Sequence, residues 1–123
     1  MAERPSIRCM VVDDDRDGAE VLGEFLKVLG VDVRVVYSGQ QAIDLAAEFQ
    51  PQLVVLDLEM PGIDGFETCR RLRQQPWSRD AVFVAYTGMP ATRAMLAAAG
   101  FDQLVAKGDS PVVFETFLKD LAR

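Results

Sequence analysis

The sequence predicts an α/β fold in which helices cover both faces of a parallel sheet. Apolar runs of strand length alternate five times with segments of helical periodicity along the 123 residues, a pattern typical of a parallel sheet wound by helices. Residues 53–56 are apolar throughout, as expected of a central strand that is covered on both faces. Because parallel crossovers are right-handed, all the strands should end at one edge of the sheet.

The strands are predicted from their apolar runs. Residues 33–37 alternate apolar and polar through Arg34, which suits a strand near the edge of the sheet. The fourth strand ends at Thr87, and the short fifth strand delivers Lys107 to its C-terminal end. The five predicted strands cover residues 7–12, 33–37, 53–56, 81–86 and 103–106.

Helices are predicted between the strands and after the last one, where apolar residues recur at helical spacing. Asp15 or Asp17 is placed to cap the first helix, and Gly30 to end it. Prolines bound most of the others because proline cannot continue a helix. The remaining boundaries are Pro51 after the second helix, Pro76 after the third, residues 92–99 with Gly100 for the fourth, and Pro111 before the fifth.

Composition predicts a single globular domain spanning residues 1–123, with an ordered core of about 6–122 and no output domain. Half of the residues are hydrophobic and 26% are charged, as in globular proteins. No segment approaches the roughly 18 apolar residues of a membrane span, and the start lacks the apolar region of a secretory signal. We therefore expect a cytoplasmic protein without membrane contact.

The formal net charge of −6 argues against nucleic-acid binding, because it repels polyanions. Arg70, Arg71 and Arg73 cluster, and we interpret them as a solvated helix face. The absence of histidine excludes Ser-His-Asp and Cys-His nucleophile pairs, so any phosphohistidine must belong to another molecule or domain. Cys9 and Cys69 lack metal-ligand spacing and are interpreted as core thiols.

Acidic residues follow two of the predicted strands. Asp13 and Asp14 come after the first strand, and Asp57 comes after the third and opens a Pro/Gly turn. Neighbouring strands lie about 4.8 Å apart, so these carboxylates would crowd together if the two strands were adjacent. Carboxylate oxygens and water suit Mg²⁺, or Mn²⁺, better than zinc. Such a cation would also neutralise an incoming phosphoryl group.

Two further strand ends carry residues suited to phosphate. Lys107 could supply a second positive charge, and the Thr87 hydroxyl a hydrogen bond to a phosphoryl oxygen. Any one of these residues means little alone, but residues of the required types at several strand ends indicate a site. The remaining acidic residues of these turns, Asp15, Asp17 and Asp64, are better explained as helix caps and turn residues.

These residues resemble the receiver domain of two-component response regulators, and the similarity covers nearly the whole chain. In that family an acidic pair after the first strand, matched here by Asp13 and Asp14, binds Mg²⁺ with the phosphoacceptor, matched by Asp57. The family segment D-x-x-M-P-x-x-D-G is reproduced at residues 57–65. The resemblance implies a flavodoxin-like sheet in the order 2-1-3-4-5. It also implies that the Glu59 backbone carbonyl completes the metal ligands, Thr87 and Lys107 bind the phosphoryl group, and Gly88 leaves room for it.

The same resemblance implies a function in signalling. Asp57 would take a phosphoryl group from a phosphohistidine on a histidine kinase or histidine phosphotransfer protein, and the domain would promote only its own phosphorylation and dephosphorylation. The surface around the fourth helix, fifth strand and fifth helix, with Met95, Leu96, Phe101 and Val112, would then alter binding of a downstream protein effector or self-association. Both a monomer and a phosphorylation-dependent homodimer fit the sequence.

The sequence departs from the family pattern at two positions. Leu104 stands where the family has an aromatic residue that swings inward, which argues against readout through an aromatic rotamer. Gly108 replaces a proline that commonly follows the lysine in a cis bond. A non-proline cis bond costs several kcal/mol, so we predict a trans bond and a looser loop before the last helix.

Other interpretations remain open at this point. Residues 75–81 look like receivers at the C-terminus of hybrid sensor kinases. A binding module that has kept the fold and lost phosphorylation would account for Leu104 and Gly108. Asp57-Leu58-Glu59 faintly resembles the D-x-D-x-T opening of haloacid-dehalogenase-type phosphohydrolases, but Met60-Pro61 stands where the threonine would follow.

Overall fold

The structure, a computed structural model, describes residues 6–122 as one parallel sheet with helices on both faces. The strands are β1 (Arg8–Val12), β2 (Asp32–Val36), β3 (Leu53–Leu56), β4 (Val82–Thr87) and β5 (Gln103–Ala106). The helices are α1 (Arg16–Val28), α2 (Gly39–Phe49), α3 (Gly65–Arg73), α4 (Arg93–Ala99) and α5 (Val113–Leu121), and a 3₁₀ helix spans Pro76–Asp80. All neighbouring strands are parallel, in the order β2-β1-β3-β4-β5. The predicted fold class is confirmed.

Side-chain caps begin α1 to α4, whereas α5 begins without one, and the sequence indicated the caps of α1 and α3. Asp15, rather than Asp17, caps α1 by accepting a hydrogen bond from the Gly18 amide. Asp64 caps α3 through the Glu67 amide at 2.8 Å. Each cap satisfies an amide that has no partner inside the helix. The carboxylates of Asp15 and Asp64 therefore have structural roles, as predicted.

The core lies on both faces of the sheet and contains both cysteines. All four residues of β3 are buried, as expected of its central position. Cys9 and Cys69 have no exposed surface. Burial raises the pKa of the Cys9 thiol well above its usual range and that of the Cys69 thiol to about 12, so both remain protonated at neutral pH. The interpretation as core thiols is confirmed.

The prediction that all three arginines of α3 face water is wrong for Arg73. Arg70 and Arg71 are half-exposed and pair with Glu67, whereas the Arg73 side chain is only 22% exposed and covers the Phe83 ring at 4.0 Å. Arg73 lies four residues after the buried Cys69, so it projects from the same side of the helix. Its guanidinium donates to the Asp102 carboxylate at 2.7 Å and to the carbonyls of Gly100, Ser78 and Ala81 at 2.9, 2.6 and 3.1 Å.

Two further predictions concern the bond between Lys107 and Gly108 and the absence of a membrane-spanning segment. No cis peptide bond occurs among residues 6–122, so the bond between Lys107 and Gly108 is trans as predicted. Gly108 has φ +101°, a left-handed conformation that suits glycine. None of the helices in the described part of the chain is long and apolar enough to span a bilayer.

Candidate functional site

Three carboxylates meet at the C-terminal edge of the sheet. Strand β1 pairs directly with β3, with Val12 opposite Leu56, so the residues that follow these strands are neighbours. The Asp57 amide donates to the Val12 carbonyl at 2.9 Å, which holds the end of β3 against β1. One carboxylate oxygen from each of Asp13, Asp14 and Asp57 lies within 4.8 Å of the others. Asp13 and Asp57 are buried, and Asp14 is exposed.

Lys107 contributes a cation to this acidic cluster. Its Nζ lies 2.8 Å from Oδ2 of Asp13 and 3.5 Å from Oδ2 of Asp57. The Lys107 amide donates to the Thr87 carbonyl at 2.9 Å, so pairing with β4 fixes the start of this side chain. The ammonium group therefore stands between the two buried carboxylates.

Thr87 and Gly88 complete the edge beside Asp57. Strand β3 pairs with β4, and Leu56 lies opposite Ala85, so Asp57 and Thr87 follow this pair by one and two residues. Thr87 is buried, and its hydroxyl accepts a hydrogen bond from the Met89 amide at 3.1 Å. A Cβ added to Gly88 would meet no atom within 4 Å. A side chain at this position would therefore point into open space.

The turn after β3 is held by a close backbone approach at Gly65. The Gly65 amide donates to the Leu58 carbonyl at 3.0 Å, and a Cβ on Gly65 would overlap the Asp57 carbonyl oxygen. The Glu59 amide donates to Asp57 Oδ1 at 3.3 Å. The sequence pattern identifies Gly65 only as the last residue of the D-x-x-M-P-x-x-D-G segment. The signal that could have revealed its packing role is the Asp-Gly pair at the start of a helix packed against the site.

The electrostatics of the site favour a bound cation. The pKa of the Asp57 carboxyl is raised to about 6, mainly by burial and then by the neighbouring Asp13 charge, whereas Lys107 and the Glu59 amide act in the opposite direction. Crowded carboxylates that resist ionisation are stabilised by a divalent cation. The donors are all oxygens, and no described residue is a histidine. The residues present therefore fit Mg²⁺ held by Asp13, Asp14 and Asp57.

We expect Asp57→Asn to stabilise the metal-free protein at neutral pH. Because the pKa of Asp57 is higher in the folded than in the unfolded chain, ionisation opposes folding. The contribution of this group to the free energy of unfolding falls as pH rises from about 4 to about 6. Since one pKa unit equals about 1.4 kcal/mol, and solvent screens part of it, the gain should reach about 1 to 2 kcal/mol above pH 6.

Urea unfolding in EDTA between pH 4 and 8 measures this gain as the difference between variant and wild type. Asp64→Asn is the matched control, because asparagine also caps helices and its difference from wild type should not follow the same pH course. A gain for Asp57→Asn that is constant from pH 4 to 8, or a loss above pH 6, would contradict the prediction.

The chain is therefore a doubly wound α/β domain that carries three carboxylates and a lysine at the C-terminal edge of its sheet. Comparison with known families gives the particular family. The model of the response regulator receiver domain matches residues 9–117, and the chain belongs to that family. Response regulator receiver domains are signal-transduction domains of two-component systems.

Individual relatives agree with this assignment. The response regulator MprA of Mycolicibacterium vanbaalenii is 46% identical over 67 residues, which are 54% of this chain and 29% of MprA, so the chain matches less than a third of that relative. The signal receiver domain of a DNA-binding response regulator from Colwellia psychrerythraea has 27% identity and a TM-score of 0.85, over 95% of this chain and 98% of that one. The receiver domain of a histidine kinase from Syntrophus aciditrophicus has 27% identity and a TM-score of 0.83, over 94% and 89% of the two chains.

Proposed function

We propose that this protein accepts a phosphoryl group on Asp57 from a phosphohistidine of a histidine kinase or histidine phosphotransfer protein. The observation that supports this most strongly is the juxtaposition of three carboxylates within 4.8 Å of one another with Lys107 at 2.8 and 3.5 Å from two of them. Residues that lie far apart in the sequence meet there, at the edge where open α/β sheets bind ligands. Membership of the receiver family supports the same proposal.

The proposed reaction is a nucleophilic transfer. An oxygen of the ionised Asp57 carboxylate attacks phosphorus, the bond between phosphorus and the imidazole nitrogen breaks, and an acyl phosphate forms on Asp57. The electron pair of the broken bond remains on the imidazole. Water later attacks the acyl phosphate and releases inorganic phosphate. The domain acts on no separate substrate, so its chemistry is limited to its own phosphorylation and dephosphorylation.

The surrounding residues stabilise charge and position the phosphoryl group. Mg²⁺, or Mn²⁺, bound by Asp13, Asp14, Asp57 and the Glu59 carbonyl would neutralise charge on the phosphoryl oxygens. Lys107 supplies a second positive charge, and the Thr87 hydroxyl donates a hydrogen bond. Gly88, which has open space where a Cβ would lie, leaves room for the phosphoryl group.

Phosphorylation would be read by a downstream protein effector or by a second copy of the chain. Met95 and Val112 are 47% and 55% exposed, whereas Leu96 and Phe101 are buried in the core. The two exposed side chains belong to the surface around α4, β5 and α5 that the sequence indicated. We propose one receiver domain over residues 1–123, with no nucleic-acid or membrane contact in its function.

Labelling by acetyl phosphate with and without Mg²⁺ tests the proposal, with intact-mass detection of the phosphorylated protein. Wild type should gain one phosphoryl group only with Mg²⁺, and Asp57→Asn should gain none. Asp64→Asn, an acidic residue of the same turn, should label like wild type. Labelling that persists in Asp57→Asn would exclude Asp57 as the sole acceptor.

Two further measurements, Mg²⁺ binding and turnover of p-nitrophenyl phosphate, separate the alternatives. Wild type that neither labels nor binds Mg²⁺ would favour a phosphorylation-independent binding module. Turnover of p-nitrophenyl phosphate that requires Glu59 would favour a phosphohydrolase with an aspartate nucleophile.

A further inference from the structure

Tyr86 lies next to the site, and its ring contacts connect Lys107 to the last helix. The side chain is half-buried in β4, one residue before Thr87. The Nζ of Lys107 lies 5.9 Å from the centroid of the Tyr86 ring, within the distance of about 6 Å over which an aromatic ring attracts a cation. Because the same Nζ is paired with Asp13 and Asp57, Tyr86 contacts the group whose position depends on the charge at the site.

Two further aromatic contacts connect Tyr86 to the last helix. The rings of Tyr86 and Phe114 meet edge to face, with centroids 5.7 Å apart and planes at 72°. Phe114 then meets Phe117 in the same manner at 5.9 Å and 74°. Phe114 is completely buried, and Phe114 and Phe117 both belong to α5. Close-packed side chains transmit a shift because the interior leaves no free volume to absorb it.

In the receiver family, the position matched by Leu104 carries an aromatic residue that swings inward. That position offers no aromatic path in this chain. Leu104 has no ring, and its side chain is 45% exposed on β5. Tyr86 is the described aromatic residue for which the structure shows a ring contact with Lys107.

We propose that Tyr86 couples the state of the acceptor site to α5 through Lys107 on one side and Phe114 on the other. This inference rests on the proposed phosphorylation of Asp57. A phosphoryl group would add about −1.5 to −2 charges and draw the Lys107 ammonium away from Asp13. The Tyr86 ring would then lose its contact with the Lys107 ammonium and shift. Because the ring packs against Phe114, this shift would change the packing of α5. Tyr86 acts here as a positioning residue that touches no phosphoryl oxygen.

The test measures the NMR amide shifts of α5 when beryllofluoride and Mg²⁺ are added as a phosphoryl mimic. In Tyr86→Leu the α5 response should fall about threefold or more, as expected when a side chain that carries coupling energy is removed. Tyr86→Phe keeps the ring and should retain the response. Phe66→Leu, which removes a ring from the edge-to-face pair with Phe101, should retain it too. A wild-type response in Tyr86→Leu would overturn the proposal.

Acetyl phosphate labelling of the same samples separates this inference from the proposed function. Tyr86→Leu should label to the same extent as wild type. A general loss of structure would instead lower both the labelling and the α5 response. Tyr86→Met serves as a second ringless variant if the leucine variant is poorly folded. Equal loss of labelling and response in both ringless variants would overturn the coupling role.

A second arm needs no phosphorylation. Lys107→Met removes the cation from the metal-free protein and should shift the α5 amides in the wild-type background, but about threefold less in the Tyr86→Leu background. If wild type fails to label while this difference holds, the proposed function fails and the coupling stands. If wild type labels while Lys107→Met shifts α5 equally in both backgrounds, the coupling fails and the proposed function stands.

Discussion

Replacing Gly65 with alanine is expected to destabilise the protein by about 3 kcal/mol and to displace Asp57, the proposed phosphoacceptor. A Cβ at this position would overlap the Asp57 carbonyl oxygen and lie 2.7 Å from the Leu58 Cα. Both atoms belong to the backbone, so no side-chain rotation can relieve the clash. Overpacking of this kind typically costs 1 to 3 kcal/mol, and occasionally more. The shift must occur at the start of α3 or at Asp57 itself.

The measurement is urea unfolding together with Mg²⁺ titration. Gly88→Ala is the control for stability, because its Cβ would meet no atom within 4 Å and should change the free energy of unfolding by less than about 0.5 kcal/mol. Gly65→Ala should also bind Mg²⁺ more weakly than wild type, since Asp57 is a proposed ligand. A Gly65→Ala protein with wild-type stability and Mg²⁺ affinity would show that the close approach is not required.

Replacing Arg73 with alanine is expected to cost about 2 to 3 kcal/mol, as typical for the loss of hydrogen bonds to a charged group. The guanidinium joins the end of α3, the 3₁₀ helix, the start of β4 and the segment before β5. Its removal leaves the carbonyls of Ser78 and Ala81 without this donor and separates the Asp102 carboxylate from its cation. Asp102 also accepts the Phe83 amide at 2.8 Å, so the start of β4 should loosen with it.

Arg70→Ala provides the matched comparison on the same helix. The Arg70 side chain is 50% exposed and pairs with Glu67 at 3.4 Å, and exposed pairs contribute about 0 to 1 kcal/mol. Arg73→Lys should be intermediate, because a lysine keeps the charge but lacks the planar set of donors. Thermal and urea unfolding measure all three variants. Equal stability of Arg70→Ala and Arg73→Ala would restore the interpretation of both as solvated arginines.

The fold was predictable mainly because its central strands, β1, β3 and β4, are largely buried on both faces. A parallel strand covered by helices must be apolar at successive positions, and residues 53–56 match β3 at both ends. The predicted bounds 103–106 also match the more exposed edge strand β5. The other three predicted strands differ from the observed ones by one residue at one or both ends. Those ends lie where hydrogen bonding rather than hydrophobicity decides the boundary.

Part of the candidate site was predictable for a similar reason. The chemistry of a parallel sheet concentrates at the C-terminal ends of its strands, so an acidic residue after an apolar run is visible in the sequence. Asp13, Asp57 and Lys107 do meet there. Their roles in phosphoryl transfer stay predictions until the labelling experiment is done.

Contacts between distant elements escaped the sequence. Arg73 carries the same charge as Arg70. It differs from Arg70 because it projects from the side of α3 that bears Cys69, where the carbonyls of Ser78 and Ala81 accept its hydrogen bonds. Likewise, the close approach at Gly65 depends on how α3 packs against the end of β3, and the aromatic path from Tyr86 depends on the placement of α5. Composition and periodicity carry no information about these distances.

The class of fold, the succession of strands and helices, and the residue types at the strand ends could all be predicted from local properties of the chain, its apolar runs and their periodicity. Three features depend on tertiary packing: Lys107 lies between Asp13 and Asp57, Arg73 is partly buried, and the Tyr86 ring contacts both Lys107 and Phe114. A charge or a ring acts through its neighbours in space, and these neighbours are brought together by the strand order and the helix packing.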